Sequence, residues 1–244
     1  MSGEAWYLVQ ALPSAGQYLL DGAQGRHAAA VRRTRVGERV MLTDGDGCCC
    51  PATVCAVQKY SLTLATGPVM RIRRPDLLVT VVQALPKGDR SDLAVDLLTE
   101  AGADGIVPWQ AARCVARWTA DRADRGVDKW RTVAREAAKQ SRRAWTPQVH
   151  PLTTTGGVVE LIAAAEAALV LHEAESRPLT DVPLPTAGEL LLVVGPEGGV
   201  APEEIDAFAA AGAVPVRLGH QVLRTSTAGT VALGALGVLT GRWT

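Results

Sequence analysis

Over residues 1–70, short runs of alternating apolar and polar positions are separated by turn signals. Val40-Met41-Leu42 meets Asp44-Gly45-Asp46-Gly47, the alternation resumes over 52–57, and 61–65 repeats it before Gly67-Pro68. Asp-Gly between two such runs signals a hairpin, so this part reads as a small β-barrel. From Leu77 the period changes. A nearly continuous apolar run over 77–85 predicts a buried strand. A helix follows with Leu93, Leu97, Leu98 and Ala101 on one face, stopped by Gly102. A second buried strand covers 105–108. An amphipathic helix is predicted over 127–145, with Trp130, Val133, Ala134, Ala137 and Ser141 on one face. After Pro147 come a helix over 157–167, strands over 168–172 and 190–194, a helix over 202–211, a strand over 214–218 and a last helix from Ser226. The Pro-containing stretch 176–188 reads as a surface connection. Alternating helices and apolar strands predict an α/β fold with a mostly parallel sheet. The expected domains are 1–72 and 73–244.

Composition narrows the class. The chain has 244 residues, 48% hydrophobic and 20% charged, which excludes a mainly disordered protein. The most apolar stretch, 229–239, is too short and glycine-rich to span a bilayer, and residues 1–25 lack the pattern of a signal peptide. Five cysteines stand at 48, 49, 50, 55 and 114, without framework spacing and without a histidine near the cluster. The expectation is a reduced, soluble, cytoplasmic protein without a metal.

The net charge is zero, but its layout is not even. Residues 113–143 carry ten Lys/Arg against four acids, and residues 144–244 carry four Arg against ten acids. Arg131, Arg135, Lys139 and Arg142 stack on one helix face at spacings of 4, 4 and 3. Arg32, Arg33 and Arg35, with Arg39, form a second basic cluster in the first domain. Each group is either solvated charge or a contact for a polyanion such as RNA.

Ligands of open α/β sheets lie beyond the carboxyl ends of the strands, and three such ends look specialised. One is Leu171-His172-Glu173. The second is Gly195-Pro196-Glu197-Gly198-Gly199, leading into a helix with Pro202 in its first turn. The third is Leu218-Gly219, followed by Val222-Leu223-Arg224-Thr225 and the last helix. Neither glycine loop has phosphate-binding spacing. Glu203 and Glu204 in the first helical turn favour a cationic or neutral ligand. Spacing alone leads to a small-ligand α/β enzyme.

The Gly195–Gly199 run with Glu203-Glu204-Ile205, and Leu218-Gly219-x-x-Val222-Leu223-Arg224-Thr225-x-Thr227-Ala228, resemble the RsmE family. Its members are S-adenosylmethionine-dependent methyltransferases of the SPOUT superfamily that modify N3 of a uridine in 16S ribosomal RNA. Further matches follow in order. They are His27-x-x-x-Val31-x-Arg33, Val36-Gly37-Glu38 to Asp44-Gly45, Leu85-Pro86-Lys87-Gly88-Asp89, Thr99-Glu100-x-Gly102, Glu136-Ala137-Ala138-x-Gln140-Ser141-x-Arg143 and Pro147. The resemblance implies an N-terminal PUA-like barrel, a C-terminal SPOUT domain with a trefoil knot, and a homodimer acting on 16S RNA or the small ribosomal subunit. It implies a cofactor site of Leu171, His172, Gly195, Pro196, Glu197, Gly198, Gly199, Leu218, Gly219, Val222, Leu223, Thr225, Thr227 and Ala228. Ser226 stands where the family commonly has glutamate.

The chemistry gives candidate roles. Methylating N3 of uracil requires loss of its proton while charge spreads over two flanking carbonyls. A guanidinium fork suits two oxygens, so Arg224 is the first catalytic candidate and Arg143 the second. Glu197 acts either as a base or as a tie for its own loop, and His172 either shuttles a proton or is structural. The sulfonium supplies the electrophile, so no metal is implied. The rival reading is a non-catalytic RNA-binding protein on the same scaffold.

Overall fold

Asp44 opens the first tight feature of the chain: its carboxylate accepts from the backbone N–H groups of Asp46 and Cys48 at 2.8 and 3.0 Å. Those bonds build the predicted hairpin. The computed structural model describes residues 4–173 and 177–243, so Ser176, at the start of the predicted 176–188 connection, lies outside the described residues.

The chain forms two units. The first comprises the chain up to Arg74 together with Ala138–Thr146, and the second comprises Pro75–Ala137 and the chain from Pro147 on. In the first unit run β1 (Ala5–Leu8), β2 (Gly16–Leu20), α1 (Gly22–Arg26), a π-helical turn (His27–Val31), β3 (Arg39–Thr43), β4 (Cys48–Val57), β5 (Leu62–Thr66) and β6 (Met70–Arg71). They make one sheet in the order β1-β3-β4-β5-β2, with β6 on β4. Alternation puts Val40 and Leu42, Val54, and Leu62 and Leu64 into one core around Tyr7. Cys50 joins that core, and burial pushes the thiols of Cys49, Cys50 and Cys114 above their ordinary range.

The first unit is not one continuous segment. Its boundary falls after Arg74, and it also takes in 138–146, because that arm pairs with the hairpin. Gly47 N–H donates to the Ala144 carbonyl at 2.9 Å, and Thr146 N–H donates to the Gly45 carbonyl at 2.8 Å. Such an arm has no periodic pattern to reveal it.

The second unit contains β7 (Leu77–Ala84), α2 (Arg90–Glu100), β8 (Gly105–Trp109), α3 (Ala120–Gln140), β9 (Gln148–Val149), α4 (Thr155–Ala164), β10 (Ala167–Leu171), β11 (Gly188–Val194), α5 (Pro202–Ala210), β12 (Val214–Val216) and α6 (Thr225–Leu239). The last residues of α3 are counted with the first unit. Every strand pair of its sheet is parallel, in the order β12-β10-β11-β7-β8-β9. Strands covered on both faces read as unbroken apolar runs, as 77–85 and 190–194 do. With Thr80, Gln83 is one of two buried polar residues in β7. Its amide donates to the Thr225 carbonyl at 3.2 Å, tying the start of α6 to the end of β7.

Several predicted boundaries move, and one predicted helix face differs. The helix predicted over 127–145 runs from Ala120 to Gln140, and Arg142 lies beyond it at φ 58°. Arg143 N–H closes that end by donating to the Ala138 carbonyl at 2.8 Å. The strand predicted over 214–218 stops at Val216, freeing Leu218 for the following loop. On α2 the buried face is Ala94, Val95, Leu98 and Thr99, whereas Leu93 is 45% exposed. Among the described residues no helix is long and apolar enough to cross a membrane.

Candidate active site at three strand ends

In the register of the parallel sheet, Leu171 lies beside Val194 on one side and Val216 on the other. The carboxyl ends of β10, β11 and β12 are therefore level, and the chains leaving them enclose one cavity of about 310 Å³. Its apolar wall is Leu171, Val194, Val216, Leu218, Leu223 and Ala228. Arg90, from the start of α2, and Arg217 and Arg224 bring cationic side chains to it, and Glu173 and Glu197 bring carboxylates.

His172, Gly195, Pro196, Gly199, Gly219, Val222 and Thr225 also line this cavity. Gly198 and Thr227 do not. A Cβ on Gly198 would meet Arg113 Cβ and carbonyl oxygen at 3.2 and 3.3 Å, so this glycine faces the loop after β8. Arg113 Nη1 also donates to the Gly198 carbonyl at 3.3 Å. Thr227 turns its hydroxyl back to the Arg224 carbonyl at 3.3 Å. Gly199, not Gly198, carries the special backbone, at φ 72°.

Arg224 is exposed and sits at the N-cap of α6. Its carbonyl accepts the N–H groups of Thr227 and Ala228, both at 2.9 Å, which anchors its backbone, and the residue lines the cavity. Arg143 belongs to the first unit and is not part of the cavity wall. Glu197 accepts from Lys87 N–H at 3.1 Å. That bond joins the Gly195–Gly199 loop to the Leu85–Asp89 segment, two of the motifs read from the sequence. His172 N–H donates to the Val216 carbonyl at 3.0 Å, extending the β10–β12 pairing by one residue.

Glu204 requires a correction. The sequence suggests an acid at a ligand-facing helix start, yet Glu204 is only 5% exposed. Its Oε1 accepts from Ala112 N–H at 2.9 Å and from the Thr155 hydroxyl at 2.7 Å, and its Oε2 accepts from Ala201 N–H at 3.1 Å. A carboxylate buried among three donors is committed to them rather than to a ligand. Of the two first-turn acids, only Glu203 is exposed.

The basic residues separate in the same way. Arg32, Arg33 and Arg35 are exposed on the first unit, with Arg33 at φ 56°. On α3, Arg131 pairs with Asp128 at 2.9 Å, and Arg135 donates to the Thr132 hydroxyl at 3.4 Å. Lys139 is half-buried and donates to Gln24 Oε1 at 3.4 Å. Arg142 has left the helix, so the row of four expected on one face is a row of three.

Sequence reasoning missed Arg90, Glu173 as a wall residue, Val200, Arg217 and Gln221. Arg90 belongs to a different strand–helix connection, and no spacing links it to the three loops. Arg217 and Gln221 lie inside a loop that the sequence singles out, where only side-chain direction distinguishes wall from surface.

Comparison with known proteins agrees with this geometry. A family model described as an RNA methyltransferase domain matches residues 73–237, and one described as an RNA methyltransferase PUA domain matches residues 20–61. Ribosomal RNA small subunit methyltransferase E of Mycobacterium bovis is 51% identical over 97% of this chain and 92% of its own length. The Bacillus subtilis protein of the same name is 28% identical over 93% and 92%. The crystal structure of ribosomal RNA small subunit methyltransferase E from Neisseria gonorrhoeae, bound to S-adenosyl methionine, superposes with a TM-score of 0.84 at 26% identity. It covers 97% of this chain and 98% of its own. With a cavity at the ends of β10, β11 and β12 and a full-length relative identical at half its positions, the chain belongs to the ribosomal RNA small subunit methyltransferase E family.

Proposed function

We propose that this protein transfers a methyl group from S-adenosylmethionine to N3 of a uridine in 16S ribosomal RNA. The observation that carries the reading is the cavity walled by all three strand-end loops, with Arg224 on its rim. The residues present fit the cofactor. Leu171, Val194, Val216, Leu218 and Leu223 offer an apolar slot for a flat base. Glu173 and Glu197 offer negative charge to a cationic centre, and Arg90 and Arg217 offer donors to a carboxylate. When bound, the cofactor supplies an activated methyl group on a sulfonium.

The chain's own residues do the rest. Arg224 presents a planar fork to the two uracil carbonyls and stabilises the negative charge that grows as N3 gives up its proton to solvent. Glu197, bonded to Lys87 N–H, holds the glycine loop against the loop after β7. The Gln83–Thr225 bond keeps the start of α6, and with it Arg224, at a fixed distance from the strand ends.

The finer architecture belongs to the same reading. We place a trefoil knot in the second unit, a PUA-like barrel in the first, and the protein in the cytoplasm as a homodimer acting on RNA of the small subunit. The knot accords with the strand order, because the chain passes from β11 back across β10 to reach β12. The dimer accords with the apolar side chains Val231, Val238, Leu239 and Trp243 left exposed on and after α6.

The test is transfer of tritium from labelled S-adenosylmethionine to naked 16S RNA and to small subunits, with the labelled nucleoside identified. Label in 3-methyluridine supports the reading. RNA binding without transfer to either substrate replaces it with the non-catalytic alternative.

A further inference from the structure

The first unit holds a cluster that the functional reading leaves unused. Trp145 is half-buried and fixed in place: its Nε1–H donates to the Ile72 carbonyl at 3.0 Å. Gly47, at φ 92°, lies directly against its indole, where any Cβ would collide with the ring. Two guanidinium groups rest on this ring. Arg71 lies 5.4 Å and Arg74 lies 5.1 Å from its centroid. Both arginines are exposed, and neither forms an ion pair with a carboxylate among the described residues. Arg71 also touches Cys48 Sγ at 3.4 Å. Asp46 bridges to Trp145 through the backbone but pairs with neither arginine.

A charge stacked on an aromatic face loses less freedom when it meets a ligand than one on a solvated stem. Stacking also leaves the in-plane N–H donors of a guanidinium turned outward, and five such donors in a fork match the oxygens of a phosphate. The surroundings add to the positive potential. Arg71, Arg73 and Arg74 fall within four residues, and Arg142 and Arg143 directly precede the Ala144-Trp145 pair. The fold therefore brings two arginines of one segment onto the indole of a distant one.

We infer that Arg71 and Arg74, held on Trp145, form a phosphate-binding site for the backbone of the RNA substrate, distinct from Arg32, Arg33, Arg35 and the α3 row. The inference rests on the methyltransferase reading for the identity of the polyanion. Contacts to phosphate position RNA without reading its bases, so this site sets affinity and salt dependence and leaves the cofactor cavity untouched.

The experiment compares the full-length protein with the double variants R71Q/R74Q and R71K/R74K, titrating a fluorescently labelled 16S RNA fragment across a range of salt. Deprived of both guanidinium charges, R71Q/R74Q binds about tenfold more weakly and the slope of log K against log salt flattens by about 1.4, two phosphates on a single strand. R71K/R74K keeps the charge and retains the wild-type slope. All three proteins bind S-adenosylmethionine equally, which shows that the variants are folded. RNA affinity and slope unchanged in R71Q/R74Q overturn the inference alone. A wild-type protein that binds no RNA overturns the functional reading and this inference with it.

Discussion

The Glu197 carboxylate accepts the backbone N–H of Lys87 at 3.1 Å, so a residue of the glycine loop is tied to the loop that follows β7. A carboxylate engaged in this way positions its loop. We expect Glu197→Gln, which retains an acceptor oxygen, to raise KM for S-adenosylmethionine only a few-fold and to leave the shape of the kcat–pH profile unchanged. Glu197→Ala should raise KM further while kcat falls less. Loss of kcat by about 10²–10⁴ in Glu197→Gln would instead identify a general base.

Gly198 and Gly199 should respond differently. Gly199 occupies φ 72°, where an L residue costs about 1–2 kcal/mol. Gly199→Ala should therefore weaken S-adenosylmethionine binding about tenfold by calorimetry, because the loop must shift to relieve the strain. Gly198→Ala adds a methyl near Arg113, outside the cavity, and should change affinity less. The reverse ranking would contradict the loop geometry.

Glu204 holds three donors from three segments: Ala112, Thr155 and Ala201. Glu204→Ala strands them in a buried place and should destabilise the protein by about 2–4 kcal/mol in urea unfolding. It should also loosen Arg113 and, through it, the Gly198 carbonyl. Unchanged stability would mean that these donors find other partners.

His150 gives the pH dependence a sign. Burial holds its pKa below the ordinary 6.5, with Arg131 pushing the same way and Glu189 opposing. Below the unfolded pKa the unfolded chain binds the proton more readily than the folded one, so folded stability falls as pH drops through that value. Chemical denaturation at a series of pH values should show this fall, and His150→Gln should flatten it. An equal slope in the variant would assign the acid sensitivity to other groups.

Much of the site is legible in the sequence because continuous apolar runs mark buried parallel strands, and ligands gather at their carboxyl ends. Leu171, Val194 and Val216 follow from that rule. Side-chain direction stays hidden. Gly198 and Gly199 are the same letter, yet one faces Arg113 and the other supplies the turn. Glu203 and Glu204 are likewise adjacent and identical, one in solvent and one buried. By period alone Trp145 is one more residue of an amphipathic helix, and only the pairing of its arm with the Asp44–Gly47 hairpin takes it to Arg71 and Arg74. Long-range partners of this kind leave no local period.

The central claim is that Arg224, anchored at the start of α6, faces the target uracil as charge develops on it. Its most direct test is single-turnover methyl transfer by Arg224→Ala, with RNA and S-adenosylmethionine affinities measured on the same protein. The account predicts transfer slowed by about 10²–10³-fold with both affinities nearly intact, and little rescue by Arg224→Lys. A raised RNA dissociation constant with an unchanged transfer rate would contradict it, making Arg224 a phosphate contact.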